Sequence, residues 1–96
     1  MGLFSSIKKS KDIKNNSDWR YGVNHAQLEF TPNYLKITTA AVEEVVFYKD
    51  IVNVEVVGKI VNIRTMVKTF SLISKQGKSH AQDLRVLLLD KVAENK

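Results

Sequence analysis

The sequence predicts an α+β domain that is mainly β: an antiparallel β-roll or barrel of about six to seven strands, capped by one C-terminal α-helix. Short apolar runs with a period near two recur roughly every nine residues between Ala26 and Ile73. Turn-forming residues separate these runs, and a segment of helical periodicity follows them. With 96 residues, the chain is expected to form one domain with one modest core.

The first two predicted strands form a hairpin. Leu28 and Phe30 alternate with polar residues before the proline–asparagine pair at positions 32–33, and Leu35 and Ile37 alternate with polar residues after it. Proline presets φ and asparagine tolerates left-handed backbone, so this pair favours a turn.

Four further strands are predicted after the hairpin. In the third strand, Glu43 to Tyr48, the alternation assigns Val45 and Phe47 to the core face and leaves Val46 and Tyr48 on the opposite face. The fourth, fifth and sixth strands are centred on Val54, Ile63 and Phe70. β-Branched residues are concentrated in these segments, as is typical of a pleated, half-buried surface.

A C-terminal helix is predicted from Ala81 onward, because Ala81, Leu84, Leu88 and Val92 share one face at helical spacing. Ser79 is the expected N-cap residue. An exposed leucine face would cost several kcal/mol at ~25 cal/mol per Å², so we expect the helix to pack on the open end of the curved sheet.

Residues 1–20 are interpreted as a basic, flexible leader, and residues 21–96 as the folded domain. The formal net charge is +5; the leader holds five basic and two acidic residues (+3), and the remainder holds ten basic and eight acidic residues (+2). Because the folded part is nearly neutral, the composition does not favour a nucleic-acid-binding protein.

The leader is also a candidate membrane or anionic-ligand contact. Its candidate residues are Lys8, Lys9, Lys11 and Lys14. Residues 1–6 fit the N-myristoylation pattern, and an acyl chain combined with a basic run anchors a protein more stably than either does alone. The alternative interpretation is a solvated basic tail without a lipid.

Composition excludes several classes of site. The chain has no cysteine, which rules out disulfides, thiolate metal sites and thiol nucleophiles and favours a cytoplasmic location. His25 and His80 are the only histidines, which makes a weak case for zinc, because a zinc site needs three or four ligands at tight spacing. Glu43 and Glu44 are adjacent on a predicted strand, so their side chains point to opposite faces. We therefore expect no catalytic residues, no metal site and no cofactor.

Three local strings add a family resemblance. Residues 30–37, 46–54 and 68–72, together with the order of the elements, resemble bacterial pleckstrin-homology-like (PH-like) domains, including the GRAM type; the resemblance covers residues 22–93. It implies a binding module, with protein contacts and homo-oligomers in bacterial members. Some eukaryotic members bind phosphoinositides through basic residues around the first hairpin, but here the first basic residue in that region is Lys36.

The predicted function is a non-catalytic interaction module that presents a sheet face or edge to a protein partner and self-associates. A small curved sheet cannot bury both of its faces, which leaves apolar surface for a partner. The candidate interface residues are Trp19, Val46, Tyr48, Ile60 and Ile73. Trp19 either docks into a partner or folds back to cover a sheet edge, and the second interpretation is favoured.

Two alternative functions stay open. The first is a peripheral membrane adaptor that uses the leader as its lipid-facing element. The second is a small nucleic-acid-binding β-barrel that stacks bases on aromatic side chains. The second is less favoured, because Phe30, Phe47 and Phe70 are assigned to the core and basic residues do not interleave densely with them.

Overall fold

The computed structural model describes residues 18–96, which form a mainly β, α+β domain, so the predicted fold class is confirmed. The strands are β1 (Trp19–Tyr21), β2 (Asn24–Phe30), β3 (Tyr34–Thr38), β4 (Glu43–Phe47), β5 (Ile51–Val57), β6 (Ile60–Thr65) and β7 (Thr69–Ser74). A short 3₁₀ turn, Tyr48–Asp50, joins β4 to β5, and the helix α1 spans Lys78–Glu94.

All seven strands belong to one antiparallel sheet that curls into a half-barrel. The strand order is β4-β3-β2-β1-β7-β6-β5, so β4 and β5 are the two edges. The short strand β1 joins the two halves of the sheet: Trp19 is the cross-strand partner of Ala26 in β2 and of Ser74 in β7. The middle of the sheet therefore depends on its shortest strand.

Strand β1 is absent from the strands predicted individually, which begin at residue 26. Because β1 spans Trp19–Tyr21, this strand extends across the position between residues 20 and 21 at which the predicted leader ends. Three residues are too few to show a period of two, and the polar stretch before them resembles a loop.

The facing of β4 is opposite to the predicted one. Val46 and Tyr48 are 2% and 0% exposed, whereas Val45 and Phe47 are 42% and 43% exposed. An alternating strand has two possible phases, and a shift of one residue moves every side chain to the other face. Both phases of this strand are apolar, so the alternation alone could not select the buried one.

The inner face of the half-barrel is closed by α1, as predicted. The helix packs against β5, β6, β7 and the 3₁₀ turn. Ala81, Leu84 and Leu88 are fully buried there, beside core residues from every strand of the sheet.

The start of α1 differs from the prediction. The helix begins at Lys78, and its N-cap is Gly77 without a side-chain hydrogen bond, so Ser79 is not the cap. Gly77 has φ +98°, a backbone conformation that residues with a Cβ rarely adopt. The chain thus enters α1 through a glycine with positive φ.

Leu88→Ala should lower the free energy of unfolding by about 2–5 kcal/mol, because it leaves a cavity between α1 and the sheet. The matched control is Leu89→Ala: Leu89 is the next residue of the same helix but is 37% exposed, and we expect a loss below about 1 kcal/mol. Urea denaturation followed by far-UV circular dichroism measures both. Equal losses would contradict the packing of α1 through its Leu84–Leu88 face.

Candidate functional site

The five residues predicted at an interface separate into two groups. Trp19 and Tyr48 are fully buried and Val46 is 2% exposed, so none of the three lies on the surface and that part of the prediction is wrong. Ile60 and Ile73 are half-buried and are cross-strand partners on the outer face. Trp19 is a core residue of the central strand β1, so it neither projects outward nor covers a sheet edge, and both interpretations of this residue are wrong.

The predicted leader contacts lie outside the described residues. They are Lys8, Lys9, Lys11 and Lys14.

The edge strand β5 is obstructed at its centre. Its pairing with β6 shifts register between Ile51 and Asn53, which marks a bulge. The side chain of Asn53 accepts a hydrogen bond from the Val54 amide at 2.9 Å, and Arg85 of α1 donates to the Val54 carbonyl at 3.1 Å. Both backbone groups of Val54 are therefore already engaged by side chains, so this edge is poorly suited to pairing with another strand.

Among residues 18–96, nothing obstructs the edge strand β4 in this way. Within the described part of the chain, no side chain hydrogen-bonds to the backbone of Glu43–Phe47. Val45 and Phe47 point outward, and Phe47 packs edge-to-face on Tyr34 of β3, with ring centroids 5.6 Å apart. Val42, just before the strand, is 47% exposed. The edge thus combines accessible backbone with apolar side chains that are held in place.

A transverse row of side chains crosses five strands on the outer face of the sheet. The strand registers pair Val57 with Ile60, Ile60 with Ile73, Ile73 with Arg20, and Arg20 with His25. We call these five residues the outer-face row. Its β5–β7 half is apolar and its β1–β2 half is basic or aromatic, so the row changes character along its length.

A depression of about 600 Å³ lies beside the basic half of the row. Arg20, Lys59 and Lys75 line it together with Val23 and Ile73, and none of the described residues that line it is acidic. The Lys75 ammonium lies 2.7 Å from Nδ1 of His25, a position in which the ring nitrogen accepts the hydrogen bond. The depression thus gathers cations from three separate parts of the chain.

Glu44 connects the edge strand β4 to the other half of the sheet. The Tyr21 hydroxyl donates to Glu44 Oε2 at 2.9 Å, and the Lys68 ammonium donates to the same oxygen at 3.0 Å. The hydrogen bond from Lys68, followed by that from Tyr21, holds the pKa of Glu44 below its ordinary value. Desolvation, followed by the bond to Glu44, raises the pKa of Tyr21. This partly exposed bridge links β4 to β1 and to the residue that precedes β7.

A buried polar cluster joins the start of α1 to the centre of the sheet. His80 stacks on Trp19 with ring centroids 4.5 Å apart and an interplanar angle of 27°. Nδ1 of His80 lies 2.8 Å from the Ser74 hydroxyl, which also accepts a hydrogen bond from the Gln76 amide at 3.0 Å. The Ser74 oxygen accepts the hydrogen bond from the Gln76 amide, so the hydroxyl proton of Ser74 can be donated to Nδ1 of His80.

The side chains of Ser74 and His80 are buried between α1 and the sheet, where they contribute to packing. Ser74 is fully buried and His80 is 8% exposed, so a substrate could not reach the hydroxyl without unpacking α1. Trp19 Nε1 and His80 Nε2 are both buried without a hydrogen-bond partner among the described residues. Burial lowers the pKa of His80, against the smaller opposing effects of Asp18 and Asp83.

Sequence reasoning missed Arg20, Lys59 and Lys75 as site residues. Arg20 was assigned to the leader. Lys59 lies in the turn between β5 and β6, and Lys75 follows β7, so no local motif marks either lysine. The available signal for an additional strand was the order aromatic, basic, aromatic in Trp19-Arg20-Tyr21. Three residues are too few to establish the period of two that predicts a strand.

We expect the free energy of unfolding to fall as the pH is lowered from about 7.5 to 5.5, through the ordinary histidine pKa. The pKa of His80 is lower in the folded state than its ordinary value of 6.5, so the unfolded chain binds more protons in this range. The stabilisation is therefore present above pH 6.5 and is lost as the pH falls. Urea denaturation at each pH, followed by the fluorescence of Trp19, measures the slope.

His80→Phe keeps an aromatic ring against Trp19 but cannot take up a proton, so it should flatten this slope whatever its effect on absolute stability. The matched control is Ser79→Ala, which changes the exposed, non-titrating neighbour of His80 in the first turn of α1 and should retain the slope. A slope unchanged by His80→Phe would contradict the assignment.

Residues 18–96 contain neither a metal-binding cluster nor a membrane-spanning helix. No group of three or more His, Cys, Asp or Glu side chains there is placed to hold a metal ion. No helix in that region is long and apolar enough to cross a membrane. Comparisons of the chain with protein-family models, with curated proteins and with solved structures found no match.

Proposed function

We propose that this domain is a non-catalytic, PH-like interaction module that acts in the cytoplasm. In this proposal, its edge strand β4 pairs with a β-strand of a protein partner, including β4 of a second copy. Strand addition at a sheet edge gains affinity from main-chain hydrogen bonds and specificity from alternate side chains. The observation that carries the proposal is the difference between the obstructed edge β5 and the open edge β4.

Proteins usually protect a sheet edge with a bulge, a charge or a covering side chain. Strand β5 has a bulge, and the side chains of Asn53 and Arg85 engage its backbone. Strand β4 carries the exposed charge of Glu43, but it also exposes 42% of Val45 and 43% of Phe47, and no side chain of residues 18–96 hydrogen-bonds to its backbone. An open apolar edge is an aggregation hazard unless it has a partner, which supports a binding role for β4.

A symmetric β4–β4 pair is compatible with the charges of the strand. In an antiparallel pair centred on Val45, Glu43 of one copy lies opposite Phe47 of the other, and Glu44 lies opposite Val46. The glutamates of the two copies are therefore not directly opposed, and like charges in opposed positions would be destabilising. The same patch is used by both copies, as a two-fold axis requires.

The PH-like component of the proposal has separate support. A curled antiparallel sheet whose inner face is closed by a C-terminal helix agrees with the expectation drawn from residues 22–93. The buried position of Ser74 and His80 supports a non-catalytic role, since the most reaction-like pair in the described residues serves to pack α1.

Val45→Lys should shift a dimer to monomer, because it places a charge at the centre of the proposed β4–β4 pair. The matched control is Val52→Lys, which puts the same charge on the obstructed edge at a residue that is 57% exposed, and it should leave the mass unchanged. Size-exclusion chromatography with light scattering at about 10–500 μM gives the mass, and we expect the Val45 variant to weaken association at least tenfold.

Two results would count against self-association through β4. One is a wild-type protein that is monomeric over the whole concentration range. The other is a dimer that dissociates equally in the Val45 and Val52 variants, which would indicate a general effect of charge.

A further inference from the structure

We infer that the outer-face row and its adjoining depression form a second docking surface, which binds an extended protein segment with apolar residues at one end and carboxylates at the other. This surface lies on the face of the sheet rather than at its edge, so it is independent of pairing through β4. Its residues come from β1, β2, β5, β6 and β7 and from the segments that follow β5 and β7.

The first argument is the absence of counterions. Arg20, Lys59 and Lys75 all line one depression, and among residues 18–96 no carboxylate lines it. In the described part of the chain, none of the three forms an ion pair, whereas Lys36, Lys68 and Lys91 each have a glutamate partner. Three unpaired cations in one depression repel one another, and an anionic ligand would remove that repulsion.

The second argument is the chemistry of the cations. A guanidinium such as that of Arg20 matches a carboxylate with two parallel hydrogen bonds, and lysine ammonium groups add point charges beside it. Among residues 18–96, the only side-chain hydrogen bond of Arg20 is a long one, 3.5 Å, to the carbonyl of Val23. Most of the donors of Arg20 are therefore available to a ligand.

The third argument is the linear order of the row. At about 4.8 Å between strands, the four steps from Val57 to His25 cover roughly 19 Å, which an extended segment of about six residues can span. The row begins with the apolar Val57, Ile60 and Ile73 and ends with Arg20 and His25. A segment with its apolar residues at one end and its acidic residues at the other matches this order, and it can run in either chain direction.

A protein segment fits these features better than a lipid surface does. Membrane attraction grows by a small increment with each basic residue near the surface, and this depression holds only three such residues. Ile60 and Ile73 are also half-buried in the sheet, so they offer a contact strip rather than side chains that could insert among acyl chains. Charge complementarity with an ordered apolar strip therefore favours a peptide.

The test uses the full chain and a fluorescein-labelled heptapeptide of three apolar residues, one serine and three glutamates, in that order. A second peptide of the same composition alternates its apolar and acidic residues, and a third replaces each glutamate with glutamine. Fluorescence anisotropy at fixed salt should show saturable binding of the ordered peptide, with affinity about tenfold weaker for each of the other two.

Protein variants locate the binding surface. Arg20→Gln should weaken binding of the ordered peptide about tenfold, Lys75→Gln about three- to tenfold, and Val57→Ser about threefold. The matched control is Lys49→Gln, which removes the same charge at the other end of β5 and should change affinity less than twofold. A leader variant, in which the lysines at positions 8, 9, 11 and 14 become glutamine, should keep the preference for the ordered peptide.

Several outcomes would overturn the inference. They are no binding of the ordered peptide up to millimolar concentration, equal binding of the ordered and alternating peptides, or equal losses in Arg20→Gln and Lys49→Gln. A fourth is sensitivity to Arg20→Gln only when vesicles of phosphatidylcholine and phosphatidylserine replace the peptide, which would assign the depression to a lipid headgroup.

Discussion

Burial of the half-barrel interior beneath α1 is the constraint on which the rest of the structure depends. The curled sheet leaves one end of its inner face open, and Ala81, Leu84 and Leu88 of the helix fill that space. The stack of His80 on Trp19 ties the first turn of the helix to the short central strand β1. Because β1 joins the two halves of the sheet, loss of this packing would release the strand on which both halves depend.

The helix and most strands could be predicted from local pattern because their burial follows a regular period. Leu84 and Leu88 fall on one helical face in the sequence and are both fully buried in the structure. The phase of β4 could not be predicted in the same way, since Val45, Val46 and Phe47 are all apolar and only the tertiary structure selects Val46 for the core. Gly77 shows a related limit: a backbone turn, rather than the nearby Ser79 hydroxyl, sets the start of α1.

The candidate surfaces were less predictable than the core because they are assembled by strand order and register. Arg20 and Lys75 lie 55 positions apart in sequence, yet both line one depression since β1 pairs with β7. Ile60 and Ile73 were predicted at an interface, but their cationic neighbours could be identified only once the register was known. Similarly, β4 could be identified as an edge strand only from the sheet order, in which β3 is its one neighbour.

The positions of the two surfaces also bear on how they would act together. Strand β4 is at one end of the sheet order. The outer-face row lies on the other side of β3, on the five consecutive strands β2, β1, β7, β6 and β5. The row includes no residue of β4, so a symmetric β4–β4 pair would use none of its residues and the dimer would display two copies of the row. A partner with two acidic segments would then bind the second row at a high effective concentration, provided that its linker spans the distance between them. Self-association would in this way convert a weak, shallow site into a selective one, because avidity rewards partners that carry a matching pair of segments.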